Sequence, residues 1–406
     1  MGFDETMADI PIPLVLGRLG RLGLAPPLRG FQPGSTETGL AVTAIRGAPA
    51  SGAEPQYAWD VAWADASRQA AALGADDATA KALSAGAGKP AAGGSRLVAS
   101  AHGQVLLSWW LPPGSGPDSV RIGPLPYLLE VADAAARQPA RVIVLADRHG
   151  AAIVAHPAGG QDPPRAFPVP ARPGTQPDPH PGRPASLHHG ERHLTDSEPE
   201  SGGGRNDRFI AARVTEAASG VGAHVILGAG DPHVLGAIAE HLPDSLGPVT
   251  IVAAGPFARD NDDQPVAEAE LSAGLENALR DITATAADDI ADLVAASATA
   301  ADPGAVRGLE AVARQLTNGQ VAVLLVAADA ADDDAGYYRI GDRPTEFLVG
   351  ADASAGGGAP VTLESGLAWA ALHQDAVVLR LPDRGGVLEG HPVAALLRHG
   401  LPRHRA

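Results

Sequence analysis

The sequence predicts a mixed α/β protein of several domains, and three observations carry that reading. The chain has 406 residues, enough for two to three domains at about 150 residues each. Strand-like and helix-like apolar patterns alternate along it, hairpins first and strand–helix–strand units after them. Three breaks in composition divide it: the Gly/Ala run Ser84 to Ser95, a stretch from His156 to Gly204 holding eleven prolines, and an acidic, alanine-rich stretch from Asp260 to Asp302 with eleven carboxylates. These breaks set the expected domains: an N-terminal α+β domain at 1–90, a middle domain at 95–260 with the long loop 156–204, an acidic helical connector at 261–301, and a C-terminal α/β sandwich at 302–406.

The elements follow in order. Leu40 to Ile45 is a strand candidate. A helix runs from Tyr57 to Leu73, with Trp59 and Trp63 at i, i+4 on a packing stripe, and Asp76 or Asp77 caps a second, short helix. Strands Arg96–Ala99 and Val105–Trp110 flank Gly103. A helix after Pro126 sets Leu128, Val131, Ala132 and Ala135 on one face. Arg141–Leu145 and Ala151–Ala155 form a hairpin around Asp147-Arg148-His149-Gly150. A helix with Ile210, Val214, Ala217 and Ala218 on one face precedes strand His224–Leu227, helix Pro232–His241 and strand Val249–Ala253. In the last domain Asp302-Pro303 opens a helix with Val306, Leu309, Ala313 and Leu316 buried, ended by Gly319. Strand Val321–Val326, helix Leu363–Leu372, strand Ala376–Leu381 and a closing helix Pro392–Arg398 complete the chain.

Composition narrows the chemistry. Apolar residues make up 45% and charged residues 19%, a balance that supports packed cores. Aromatics are only 4%, so those cores are built mainly from Ala, Val, Leu and Ile. The absence of cysteine excludes disulfides, thiolate chemistry, zinc fingers and iron–sulfur clusters. The net charge of −17 disfavours broad coating of nucleic acid and leaves room only for a local basic contact. No apolar run approaches the roughly 20 residues of a membrane span, and acids precede the short run IPIPLVL, so the N-terminus reads as no signal peptide. Gly2 and Thr6 satisfy a myristoylation pattern, but a short one. The expectation is a soluble, cytoplasmic protein without a membrane partner.

The order of several soft motifs resembles a known family. The segment PQYAWDVAWADASRQAAALGADDATAKAL, the hairpin VIVLADRHGAAIV, the helix RNDRFIAARVTEAA followed by HVILGAGDPHVLGAIAEHLP, and the tail from GLEAVARQLTNGQVAVLLV to DAVVLRLPDRGGVLEGHPVAALLRHG fit together. They look like the bacterial and archaeal relatives of the eukaryotic-type class I peptide release factor, in an actinobacterial branch. That branch is similar to Balon-type ribosome hibernation factors, Pelota and Vms-type peptidyl-tRNA hydrolases. The resemblance covers most of residues 35–400. It implies an N-terminal domain that reaches the decoding region, a ribonuclease-H-like middle domain and a C-terminal domain with the fold of kink-turn-binding ribosomal proteins. The implied partners are the ribosome, through rRNA of the A-site region, and a translational GTPase or ribosomal protein through the C-terminal domain. No cofactor is implied.

Two stretches carry the candidate chemistry. Gly159-Gly160-Gln161 spells the Gly-Gly-Gln of release factors, in which glycines let the backbone enter a tight site and glutamine places a water on the ester. Here it follows strand Ala151–Ala155 directly and reads as a turn, whereas the family's loop stands immediately before the long helix. The positional counterpart is Leu187 to Arg208, where Gly202, Gly203 and Gly204 precede Arg205 and no glutamine stands. What remains there is partly basic: Arg183, His188, His189, Arg192, His193, Arg205, Arg208 and Arg213 are the RNA-contact candidates, because planar guanidinium donors pair bidentately with phosphate. The competing reading is a loop whose Glu191, Asp196, Glu198, Glu200 and Asp207 cancel that charge. His189 and His193 stand at i, i+4, but with no helix expected there and no carboxylate to orient the rings no metal site is assigned. The turn Leu227 to Gly236 has Gly228 and Gly230 but not the GxGxxG spacing of a dinucleotide site, and neither G-x-S-x-G nor GKS/GKT occurs. His102, His149, His224, His233, His373 and His391 stand singly, and Trp59, Trp63, Trp109, Trp110 and Trp369 read as packing residues.

The leading expectation is a ribosome-associated, release-factor-like protein that occupies the A site in stress or dormancy without catalysis. The alternatives are a peptidyl-tRNA hydrolase using Gly159-Gly160-Gln161 and a ligand- or protein-binding module without ribosomes.

Overall fold

The computed structural model describes residues 31, 40–48, 55–90, 94–111, 117–147, 150–158, 165–168, 203–243, 246, 249–254, 264–297, 304–328, 338–350, 353, 358–381 and 388–400. Mixed α/β architecture is observed. The described residues form four sheets and divide into two compact units, one of residues 138–286 and the other holding 31–137 and 287–400.

The first sheet has the order β3-β2-β1-β4, all antiparallel, with β1 Ala41–Gly47, β2 Ser95–Ala101, β3 Gln104–Leu111 and β4 Ser119–Gly123. Helices α1 (Pro55–Ala72) and α2 (Asp77–Gly86) connect β1 to β2. Because β1 pairs with both β2 and β4, the first domain does not end near 90. The Gly/Ala run lies between two elements of one domain, which extends through α3 (Leu129–Ala136). Asp76 caps α2 by accepting from Thr79 N–H at 2.9 Å.

The core of this domain is the tryptophan cluster. Trp59 is fully buried, meets Trp63 edge-on at 5.7 Å and stacks on Trp110 at 5.8 Å. Its indole N–H donates to Gly88 O at 3.0 Å, and Arg96 covers the outer Trp110 ring at 4.9 Å. Trp109 and Trp369 are also buried. All five indoles therefore take the packing role read from the sequence.

The middle unit is a five-stranded sheet, order β7-β6-β5-β8-β9: β5 Arg141–Asp147, β6 Gly150–His156, β7 Arg165–Pro168, β8 Val225–Gly230 and β9 Val249–Ala254. Strands β5, β8 and β9 run parallel, and β6 and β7 add an antiparallel edge. Helix α4 (Gly203–Val221) makes the crossover to β8, α5 (Pro232–Ala239) follows, and the acidic stretch folds as one 34-residue helix, α6 (Gln264–Ser297). A Cβ on Gly228 would stand 2.9 Å from Val249 Cγ1, so that glycine lets β9 and α5 close onto β8.

The C-terminal sheet has the order β10-β16-β11-β15, from β10 Ala305–Arg307, β11 Val321–Ala327, β15 Val377–Leu381 and β16 Val393–Leu397. Helices α7 (Leu309–Thr317) and α8 (Leu363–Leu372) and a small sheet of β12 (Tyr338–Ile340), β13 (Phe347–Val349) and β14 (Ala359–Pro360) complete the domain. Two expectations are corrected here. Residues 393–397, expected as a helix, form a strand buried between β10 and β11; a five-residue run apolar on every side fits a strand covered on both faces. The helix expected from Asp302-Pro303 begins only at Leu309, because Ala305–Arg307 pairs with β16 and Gly308 turns the chain at φ 86°.

Replacing Trp59 by Ala empties the center of the first core and is expected to cost about 3–5 kcal/mol. Chemical denaturation followed by tryptophan fluorescence reads this directly, and a loss under 1 kcal/mol contradicts the packing described.

Candidate functional site

Helix α4 positions the site. Ile210, Ala211, Val214, Ala217 and Ala218 are buried against Val142, Val144, Ala146 and Ile153 of the sheet. Its 19 residues span about 28 Å at 1.5 Å per residue, against about 20 Å for the six-residue β8. Since α4 ends where β8 begins, its first turns overhang the carboxyl ends of β5 and β8, the end at which open α/β sheets bind their ligands.

The structure sorts the sequence candidates. Gly159, Gly160 and Gln161, and likewise Arg183, His188, His189, Arg192 and His193, lie outside the described residues. The first three fall between β6 and β7, which pair antiparallel with Ala155 opposite Arg165. Gly203, Gly204 and Arg205 form the first turn of α4, so two of the three glycines there are helical. Arg208 is exposed on the outward face. Arg213 is half-buried, paired with Glu216 and placed 5.9 Å over the Phe167 ring. It holds β7 to α4, which removes it from the free arginines.

The sequence reading passed over Phe209. It is 46% exposed, beside Arg208 and one position before the buried stripe. The available signal was an aromatic falling off the i, i+3, i+4 pattern of Ile210, Val214 and Ala217 in a chain with six phenylalanines.

The glycine-rich turn after β8 is structural. Asp231 caps α5, its carboxylate accepting from His233 N–H at 2.9 Å, while its own N–H donates to Ala146 O at 2.9 Å. A carboxylate thus occupies the helix end that a pyrophosphate would need.

At the other end of the sheet Arg141 and His156 face each other across β5 and β6. Burial, and then the Arg141 charge, push the His156 imidazole down to about 4. His156 is therefore neutral at pH 7.

Residues 140–300 match the model of the bacterial archaeo-eukaryotic release factor family 2, which spans the five-stranded sheet, α4, α5 and α6. The chain is thus related to a bacterial release-factor-like family through its middle domain. No curated protein matches it. Among solved structures, ribosome-bound archaeal Pelota is similar at 15% identity and TM-score 0.37, over 63% of this chain and 61% of that one. Dom34 of S. cerevisiae, a translation termination-like factor, is similar at 11% identity and TM-score 0.31, over 64% and 62%. The archaeal termination factor aRF1 aligns over 97% of this chain and 100% of its own, at 12% identity and TM-score 0.20. The chain thus spans about three fifths of the length of the first two.

Because His156 binds its proton more weakly folded than unfolded, its contribution to stability is present above its ordinary pKa of about 6.5 and is lost as pH falls toward about 4. The middle unit is expected to melt at lower temperature as pH falls through that window, and His156→Gln is expected to flatten the dependence. Calorimetry across pH 7 to 4 measures it; an unchanged slope in the variant contradicts the assignment.

Proposed function

We propose that this protein is a ribosome-associated, release-factor-like factor that binds rRNA through the head of α4 and acts in translational stress or dormancy by occupying the A site rather than by cleaving peptidyl-tRNA. The observation that carries the reading is the exposed pair Arg208 and Phe209 at the overhanging start of α4, inside the segment that matches the release-factor family. An arginine pairs with phosphate and an aromatic face stacks on an unpaired base. The sequence before the helix adds Arg183, Arg192 and Arg205.

The non-catalytic reading is supported by the order of residues. In release factors the glutamine loop stands directly before the long helix of the middle domain. Here Gly203, Gly204 and Arg205 open α4, and Gly159-Gly160-Gln161 falls instead in the connection between the antiparallel strands β6 and β7. The ribonuclease-H-like and kink-turn-binding domain types, and a translational GTPase or ribosomal protein docked on the C-terminal domain, belong to the same proposal.

A net charge of −17 repels RNA at long range, so binding rests on few contacts. With Arg183, Arg192, Arg205 and Arg208 on phosphates, cosedimentation with ribosomes weakens with salt at a log–log slope of roughly −3, at about −0.7 per phosphate. The triple variant Arg192→Ala, Arg205→Ala, Arg208→Ala should bring that slope to roughly −1, and Phe209→Ala should weaken binding about tenfold or more at unchanged slope. Binding and slope unaltered in both variants would sink the assignment of this helix head to RNA.

Catalysis is tested separately. Gln161→Ala should leave release of peptide from peptidyl-tRNA on ribosomes unchanged. A loss of about 100-fold, roughly 2.7 kcal/mol of barrier, turns the reading to a hydrolase.

A further inference from the structure

The first sheet domain and the C-terminal domain belong to one compact unit and meet through charged groups. Glu364, in the first turn of α8, is only 7% exposed. Its Oε2 accepts from the Tyr127 hydroxyl at 2.9 Å and lies 3.5 Å from Arg121 Nη1, and its Oε1 lies 3.5 Å from Arg380 Nη2. The Arg121 guanidinium also covers the Tyr127 ring at 4.0 Å. One carboxylate of the C-terminal domain thus holds a cation and a phenol of the first domain, together with a cation of its own.

The first domain reaches back. Arg380 stands on β15, the edge strand of the C-terminal sheet. Its backbone N–H donates to Asp133 Oδ1 at 2.9 Å, and its carbonyl accepts from Arg137 Nη2 at 2.9 Å. Asp133 and Arg137 are themselves paired at 3.0 Å along α3. An edge strand offers such groups to any other strand; here two side chains of another domain take both groups of one residue. Glu130 lies beside them, its carboxyl pushed up by burial and by Glu364 and drawn down by Arg121 and Arg380.

We propose that these contacts form an ionic latch: Glu364 couples the first domain to the C-terminal domain so that they open and close together, and the closed latch keeps the outer edge of β15 from pairing with another strand. The reason is electrostatic. Glu364 and Tyr127 are buried while the Arg121 and Arg380 side chains are 43% and 32% exposed, so neutralising the carboxylate weakens the acceptor of a buried phenol and leaves two partly screened cations facing each other without their shared anion. Apolar packing alone makes no such demand that both faces loosen when a single carboxylate is neutralised. The latch is independent of the ribosomal reading, since it involves no residue of α4.

Hydrogen exchange of the full chain tests it. Glu364→Gln is expected to speed exchange about tenfold or more, the order lost with one buried charge-assisted contact, in both 119–136 and 377–381. Strand β8, in the other unit, serves as the reference that stays unchanged. Tyr127→Phe removes one hydroxyl from the first domain, keeps its packing, and must still speed exchange at 377–381 across the interface. Exchange that rises only on the mutated side in either variant, or in neither region, overturns the coupling.

Discussion

Close approach is the constraint on which the rest of this structure depends. A chain with 4% aromatics and 49 glycines has few large side chains with which to fill space, so its cores close only where backbones come near one another. Interiors are packed to the density of organic crystals, and a gap forfeits contacts outright. On Gly86 at the end of α2 a Cβ would stand 2.6 Å from Val98 Cγ1. The alanines of α4 do the same for the middle sheet, and α8 lies fully buried from Leu363 to Leu372. The few large groups are concentrated, with Trp59, Trp63 and Trp110 in one cluster.

That economy gives meaning to what is left outside. Among the described aromatics only Tyr57 and Phe209 are largely exposed, and Phe209 alone stands beside an exposed arginine, Arg208. It falls where α4 overhangs the sheet. Between the first and C-terminal domains, Phe31 packs edge-on against Trp369 at 5.8 Å and lies 6.0 Å from His102, and carboxylates, guanidinium groups and one tyrosine hydroxyl add a polar contact beside it. With a net charge of −17, the proposed contact with RNA rests on one local feature, the head of α4.

Much of the fold was legible because local signals agreed with tertiary ones. Asp76 reads as a cap and is one; Leu363–Leu372 reads as a helix and is one. The errors have physical causes. Val393–Leu397 is apolar throughout, and periodicity does not separate a short buried helix from a strand covered on both faces. Ser119–Gly123 is short and carries Arg121, whose place depends on Glu364, 243 residues away. The boundary expected near 90 rested on flexible composition, but β1 closes its sheet with partners on the far side of that run. At the candidate site, the sequence marked arginines by charge alone. It had no means of showing that Arg213 turns inward to Glu216 and Phe167 while Phe209 turns outward.

The central claim is that the head of α4 meets rRNA, and a cross-link from that position tests it most directly. A photoreactive phenylalanine analogue placed at Phe209, irradiated with ribosomes bound, should give adducts to ribosomal RNA that disappear when Arg192, Arg205 and Arg208 are replaced. Adducts confined to protein, or none from ribosome-bound material, contradict the account.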